Sequence, residues 1–257
     1  MPQPFKPGKV PLERALSKLG IASRSQTRTW ILSGRISVDG TIKRDPQFLV
    51  TPEKSRFELD GQALKASSWR TLLLYKPRGV VTTRSDEKGR GTIYSLLKDN
   101  DHHLHPVGRL DMATSGLLIL TTDTQFSNWL TDPRNQVLRS YLVTVEGLVT
   151  SEELEKLKVG IKDQGELLKP EEIILRKASG KESHLTVKLT EGKNREIRRM
   201  FEVIGHDIIS LKRITFGGLT LGSLQPAKYQ EFSFEEARAA FPKAQFSHEK
   251  FPSSRKH

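Results

Sequence analysis

One stretch restricts the fold more than any other: Gly108-Arg109-Leu110-Asp111-Met112-Ala113-Thr114-Ser115-Gly116-Leu117-Leu118-Ile119-Leu120, followed by Thr121-Thr122-Asp123. The unbroken apolar run at its end reads as a buried strand, and the turn-forming residues before it put one carboxylate, Asp111, on a loop held by the core. Most loop aspartates accept backbone N–H bonds in an Asx-turn. The alternative is a reactive acid, and the rest of the chain has to decide between the two.

A chain of 257 residues that is 35% hydrophobic can build one large or two modest packed domains. Its 42 Lys and Arg against 30 Asp and Glu leave a net charge of +12. Such a surface favours a polyanionic partner through phosphate neutralisation and counterion release, with nucleic acid ahead of anionic lipid. Cysteine is absent, which excludes disulfides, thiolate nucleophiles and base deamination on a thiolate-held zinc. No apolar run approaches the roughly 20 residues of a membrane span, and the opening residues lack the apolar core of a signal peptide. A cytoplasmic protein is therefore expected. Gly-x-Gly-x-x-Gly, Gly-x-x-x-x-Gly-Lys-Ser/Thr and Gly-x-Ser-x-Gly are all missing, so nothing points to a nucleotide cofactor, ATP or a serine hydrolase.

In chain order, residues 1 to about 9 read as a basic arm without fixed structure. Leu12, Ala15, Leu16 and Leu19 have helical spacing up to Gly20, and Ser23 with Gln26 boxes the start of a second helix through Trp30 and Ile31. Ile36, Val38 and Ile42 alternate around Asp39-Gly40, and Phe57 and Leu59 precede Asp60-Gly61, which predicts hairpins. This small domain, 10–68, is strongly basic: residues 1–69 hold twelve Lys and Arg against six Asp and Glu, half the chain's excess in about a quarter of its length. Arg24, Arg28 and Arg35 lie on or just after its second helix.

The next domain, 70–236, opens on a buried strand Thr71–Tyr75 that runs into the turn Lys76-Pro77-Arg78-Gly79 and a second strand Val80–Thr83. A polar loop from Arg84 to Gly91 and a short helix around Ile93, Leu96 and Leu97 follow. His102, His103 and His105 cluster, but within four residues of a polar loop and without an obvious carboxylate partner, so no metal site is expected. Phe126, Trp129 and Leu130 predict a helix stopped by Pro133. Tyr141, Val143 and Val145 alternate as a strand, and Thr150 with Glu153 boxes another helix. Ile173–Leu175, Leu185–Leu189 and Ile208–Ile214 supply further strands. The expected fold class is α+β, a small αβ module followed by a mainly antiparallel sheet, with a basic tail over 237–257 lacking fixed structure.

The helix Asn194–Ile204 buries Ile197, Met200, Phe201 and Ile204 along one face, leaving Arg195, Arg198, Arg199 and Glu202 on the other. An Arg198–Glu202 pair has the weaker order and is worth only a few tenths of a kcal/mol. Three clustered guanidinium groups are better suited to facing a carboxylate or phosphate.

These residues carry a resemblance. Gly108-Arg109-Leu110-Asp111 with Thr114-Ser115-Gly116-Leu117-Leu118, then Arg139-Ser140-Tyr141, then Glu191-Gly192-Lys193-Asn194-Arg195-Glu196-Ile197-Arg198-Arg199-Met200-Phe201, behind a module that resembles the S4 RNA-binding fold, are similar to the ribosomal RNA pseudouridine synthases of the RsuA branch, which includes RluB-type enzymes. The resemblance covers about residues 10 to 235. It implies isomerisation of a uridine to 5-ribosyluracil without cofactor or metal. It makes Asp111 the catalytic aspartate, Tyr141 the ring that stacks on the target base and Arg198 the partner of the aspartate. Arg109 would contact RNA beside the flipped nucleotide, with Arg24, Arg28, Arg35, Arg139, Arg195 and Arg199 as further RNA contacts. The implied partner is ribosomal RNA, free or in an assembling subunit, bound by a monomer with no membrane involved; the Lys88-Gly89-Arg90 loop and the overall likeness lean towards 23S rRNA. The alternative is a non-catalytic RNA-binding ribosome assembly factor, which has no use for Asp111.

The chemistry suits these residue types. Moving the ribose from N1 to C5 of uracil needs one nucleophile and no redox partner, so a carboxylate can attack C1′ as in retaining glycosidases. Capture of a glycal after C2′ deprotonation and addition to C6 of the ring remain open. A carboxylate in a pocket that excludes water would have its pKa raised by as much as 3–5 units, which a facing arginine counters. The uridine must leave its stack at a cost of a few kcal/mol, and stacking on a ring such as Tyr141 returns roughly 1–3 kcal/mol.

Overall fold

The computed structural model describes residues 8–52, 54–65 and 68–246. The expected arm up to residue 7 and the tail from 247 lie outside them. Two compact units emerge, the first from residues up to Arg70 with 121–128 and 244–246, the second from 71–120 and 129–243.

In the first unit, α1 (Leu12–Lys18) and α2 (Arg24–Leu32) lie in sequence before two hairpins. Ser23 caps α2 by accepting from the Gln26 N–H at 3.2 Å, satisfying one of the donors a helix start leaves open. Strands β2 (Ile36–Val38), β3 (Thr41–Ile42), β5 (Phe57–Leu59) and β6 (Gln62–Ala63) form a sheet in the order β3-β2-β5-β6, and β1 (Val10–Pro11) pairs with β4 (Leu49–Val50). Both predicted turns are two-residue hairpins with positive φ at Asp39 and Gly40 and at Asp60 and Gly61, the conformation the Asp-Gly pairs supply. Leu12, Leu16, Ile31, Ile36, Val38 and Phe57 make the core.

The second unit is built on a sheet ordered β13-β14-β10-β15-β9-β7-β17, from β7 (Thr71–Lys76), β9 (Ser115–Thr121), β10 (Arg139–Glu146), β13 (Glu172–Ala178), β14 (Glu182–Leu189), β15 (Ile208–Phe216) and β17 (Tyr229–Glu231). β8 (His105–Pro106) and β16 (Leu219–Thr220) pair with β9 and β15. A separate hairpin is formed by β11 (Ile161–Asp163) and β12 (Glu166–Leu168). The helices of this unit are α4 (Ser151–Val159), whose Thr150–Glu153 capping box is complete, α5 (Glu196–Val203) and α6 (Phe234–Ala240), while α3 (Thr124–Thr131) has its first five residues in the first unit. Antiparallel pairing dominates, as expected for the α+β class. The exception that matters here is β9 beside β15, parallel at Ser115 and Gly116 against Lys212 and Arg213. A Cβ at Gly116 would stand 2.1 Å from the Arg213 carbonyl oxygen, so only glycine allows this close approach.

Two expectations are corrected. Val80–Thr83 is not a strand: only Val81 bridges, to Thr92. The polar groups of this segment are met by loops instead, with Gly79 N–H donating to Met112 and Val81 N–H to Gly91. The chain also keeps its order past Ala237. Ser233 and Glu236 form a capping box for α6, Phe241 is buried, and Phe246 stacks on Phe126 with ring centres 4.9 Å apart. That box follows the same spacing rule as Thr150 and Glu153 and was readable in the sequence.

Candidate active site

Asp111 sits on a turn that is held by buried polar contacts. Lys76 ends β7 on the same face as Leu72 and Leu74, which strand periodicity turns into the core, and it is fully buried. Its Nζ donates to the carbonyls of Asp111 at 3.0 Å, Thr114 at 2.8 Å and Pro77 at 3.0 Å. Burial pulls its pKa down to about 8, and the Asp111 charge pulls the other way. Thr82 Oγ1 donates to the Leu110 carbonyl at 2.8 Å, and Thr114 N–H closes the turn on the Asp111 carbonyl at 3.0 Å. The backbone of the turn is therefore fixed from several sides, and its carboxylate is left to face elsewhere.

It faces arginines. Arg198 Nε and Arg195 Nη1 lie 3.8 and 3.9 Å from Asp111 Oδ2, too long for hydrogen bonds but within ion-pair range. Arg198 also donates through Nη2 to the Ala113 carbonyl and Thr114 Oγ1 at 3.2 and 3.3 Å, so it braces the turn as well as the charge. Burial and the neighbouring Arg195 lower the Arg198 pKa, with Asp111 opposing them. An Asx-turn does not account for such a carboxylate. One expectation needs correcting, since the Asp111 side chain is 41% exposed and its pocket is open to water.

A cavity of about 430 Å³ opens at this point, within the range of small-molecule pockets, lined by Arg109, Asp111, Tyr141, Arg195, Arg198 and Arg213 among others. Tyr141 is 8% exposed and stands in register with Arg213 of β15 and Val187 of β14. The three arginines of the Asn194–Ile204 segment part company. Arg195, with φ of +49° at the start of α5, and Arg198 reach Asp111, whereas Arg199 is bound to Asp163 and Glu166 on the β11–β12 hairpin. Arg139 lines the cavity but is buried, donating to the Thr190 and Leu130 carbonyls at 3.0 Å each and lying over the Phe216 ring. Its guanidinium is committed inside the fold, not offered to RNA. In the first unit Arg24 and Arg28 are exposed on α2, Arg28 beside Glu13 at 3.3 Å, and Arg35 forms a two-pronged pair with Asp60.

Sequence reasoning missed three residues. Lys76 was signalled by its in-phase position after Leu72 and Leu74. Arg213 is in phase with the buried Leu211 on β15. Glu196, at the start of α5, is 3% exposed and lines the cavity, and burial followed by the charge of Glu191 pushes its carboxyl up to about 7. Among the described residues no group of three or more His, Cys, Asp or Glu could hold a metal ion. The His102–His105 loop is organised instead by Arg84, which donates to the His102 and His103 carbonyls.

The model of RNA pseudouridylate synthases matches residues 70–203, more than half of the chain. The chain belongs to this family. Residues 10–54 match the S4 domain, so the basic module and the sheet domain are each accounted for. An uncharacterized RNA pseudouridine synthase of Aquifex aeolicus is 37% identical over 90% of this chain and 94% of its own length. The ribosomal large subunit pseudouridine synthase B of Bacillus subtilis is 34% identical over 88% of this chain and 93% of its own. A crystal structure of a pseudouridylate synthase superposes with a TM-score of 0.64 at 25% identity, covering 89% of this chain and 98% of the other. As a pseudouridine synthase the chain is an isomerase, and its S4 domain makes it an RNA-binding one. Among the described residues no helix is long and apolar enough to cross a membrane.

Proposed function

We propose that this synthase acts on 23S rRNA, converting a specific uridine with Asp111 as the nucleophile and no cofactor, as a cytoplasmic monomer. The observation that carries the reading is the Asp111 carboxylate, presented on a lysine-held turn to Arg195 and Arg198 at the mouth of a cavity walled by Tyr141. In the direct route a carboxylate oxygen bonds to C1′ as the C1′–N1 pair leaves with the uracil. The base turns on the Tyr141 ring, C5 attacks C1′ and displaces the carboxylate, and loss of the C5 proton to solvent with uptake of one at N1 restores the aromatic system. In the glycal and C6 routes Asp111 fills the corresponding role. Arg198 holds the carboxylate in place, and Arg195 and Arg109 meet flanking phosphates. Arg24 and Arg28 supply affinity from the S4 domain, where exposure leaves their guanidinium groups available to a polyanion.

The target preference draws support from the large-subunit enzyme of Bacillus subtilis, which aligns nearly end to end. The test is tritium release from C5-labelled transcripts of 23S and 16S rRNA, with pseudouridine mapping in cells lacking the gene. Release from 23S alone, with loss of a 23S pseudouridine in those cells, is expected. Release from 16S alone overturns the target, and tight binding without release from either transcript would identify a binding factor instead.

A further inference from the structure

The cavity wall holds a charge that the reaction above leaves idle. Arg213 is 3% exposed, stands opposite Tyr141 in the β10–β15 register and lies over Phe216 with its guanidinium carbon 4.9 Å from the ring centre. Nε donates to the Leu117 carbonyl at 2.8 Å, while Nη2 meets neither a protein acceptor nor solvent. Arg139 shares the same ring but uses both Nη groups on main-chain carbonyls. An orphaned buried donor is a cost that folds rarely leave without a purpose.

We infer that Arg213 is a catalytic residue that stabilises the charge gathered on the uracil. This deepens the reading above and rests on the base lying against Tyr141. When the C1′–N1 bond breaks, its electron pair stays with the ring and spreads on to O2 and O4. Addition of Asp111 to C6 would likewise place charge on O4. In each route a carbonyl oxygen becomes a stronger acceptor as the reaction proceeds, and its hydrogen bond from a fixed cation beside the stacked base strengthens at that moment. Nη2 has no water-accessible surface in this fold, so the base reaches it by displacing the side chains that cover it. When C5 has bonded to C1′ the ring is neutral again and the hydrogen bond relaxes; the C5 proton then leaves to solvent while N1 takes one up.

The test compares uridine with 5-fluorouridine, whose ring carries negative charge more easily and depends less on outside help. Full-length Arg213→Met, Arg213→Lys and Asp111→Asn are assayed in single turnover on rRNA transcripts of each kind, reading the N- to C-glycoside change by chromatography and mass spectrometry. Arg213→Met is expected to slow uridine turnover by about 100-fold or more. RNA affinity should stay within about threefold, and the defect with 5-fluorouridine should be at least about tenfold smaller. Arg213→Lys should fall between Met and the parent. An equal defect on both substrates, or none, overturns the assignment. If Arg213→Met fails to fold by near-ultraviolet dichroism, the same substrate comparison is made on Arg213→Lys. Turnover by Asp111→Asn would instead break the reading of the nucleophile, so the two failures are distinguishable.

Discussion

Two sets of arginines in this molecule stand in different settings, and burial separates them. On α2 of the S4 domain Arg28 is 57% exposed and meets Glu13, while Arg198 at the cavity is 13% exposed and contacts Asp111, Ala113 and Thr114 together. An exposed guanidinium in high dielectric attracts any phosphate and is screened by salt. A half-buried one, fixed by several partners, acts on one atom. On the proposed reading the first unit supplies affinity and the second supplies chemistry, and the following variants strain that division.

The largest effect is expected beneath the Asp111 turn. Lys76→Met removes the lysine donor from the Thr114 and Pro77 carbonyls, while the Asp111 carbonyl keeps the Thr114 N–H, and should cost about 4 kcal/mol of stability, since each buried unsatisfied group costs about 1–3 kcal/mol. Urea denaturation measures it. Turnover should fall with RNA affinity kept, whereas a loss under about 1 kcal/mol would show that the clamp does not hold the turn.

Next comes Glu196. Its folded pKa of about 7 lies above the ordinary 4.5, so the folded chain holds this proton more tightly than the unfolded chain. Stability therefore declines as pH rises from about 4.5 to 7 and stops declining beyond, by roughly 3 kcal/mol in all. Glu196→Gln should flatten that part of the stability–pH curve, and an unchanged slope would place the carboxyl in water.

The smallest effects belong to the exposed face. Replacing Arg24 and Arg28 with alanine should weaken rRNA binding several-fold and lower the magnitude of the log–log salt slope by about one for each phosphate no longer neutralised. The single-turnover rate at saturating RNA should not change. A reduced rate with intact affinity would erase the division between the two units.

How far the sequence could be read follows the same line. Periodicity located the strands around Asp111 and Tyr141, and the Asp-Gly pairs and Thr150–Glu153 box marked turns and a helix start, because such signals are local. It also grouped Arg195, Arg198 and Arg199 on one helix face. Which of them meets Asp111 depends on the β11–β12 hairpin, whose Asp163 and Glu166 draw Arg199 away across more than thirty residues of chain. Arg139 reads as a surface cation until Thr190 and Leu130 present their carbonyls to it. Buried polar residues are where local rules fail, since tertiary partners decide them.

Tritium release by Asp111→Asn addresses the central claim most directly. The substitution keeps the shape of the side chain and removes its nucleophilic charge. With C5-labelled rRNA in single turnover, release should drop to background while the RNA dissociation constant stays within about threefold of the parent. Release near the parental rate would contradict the account, because the pseudouridine would then be forming without the carboxylate on which the site is centred.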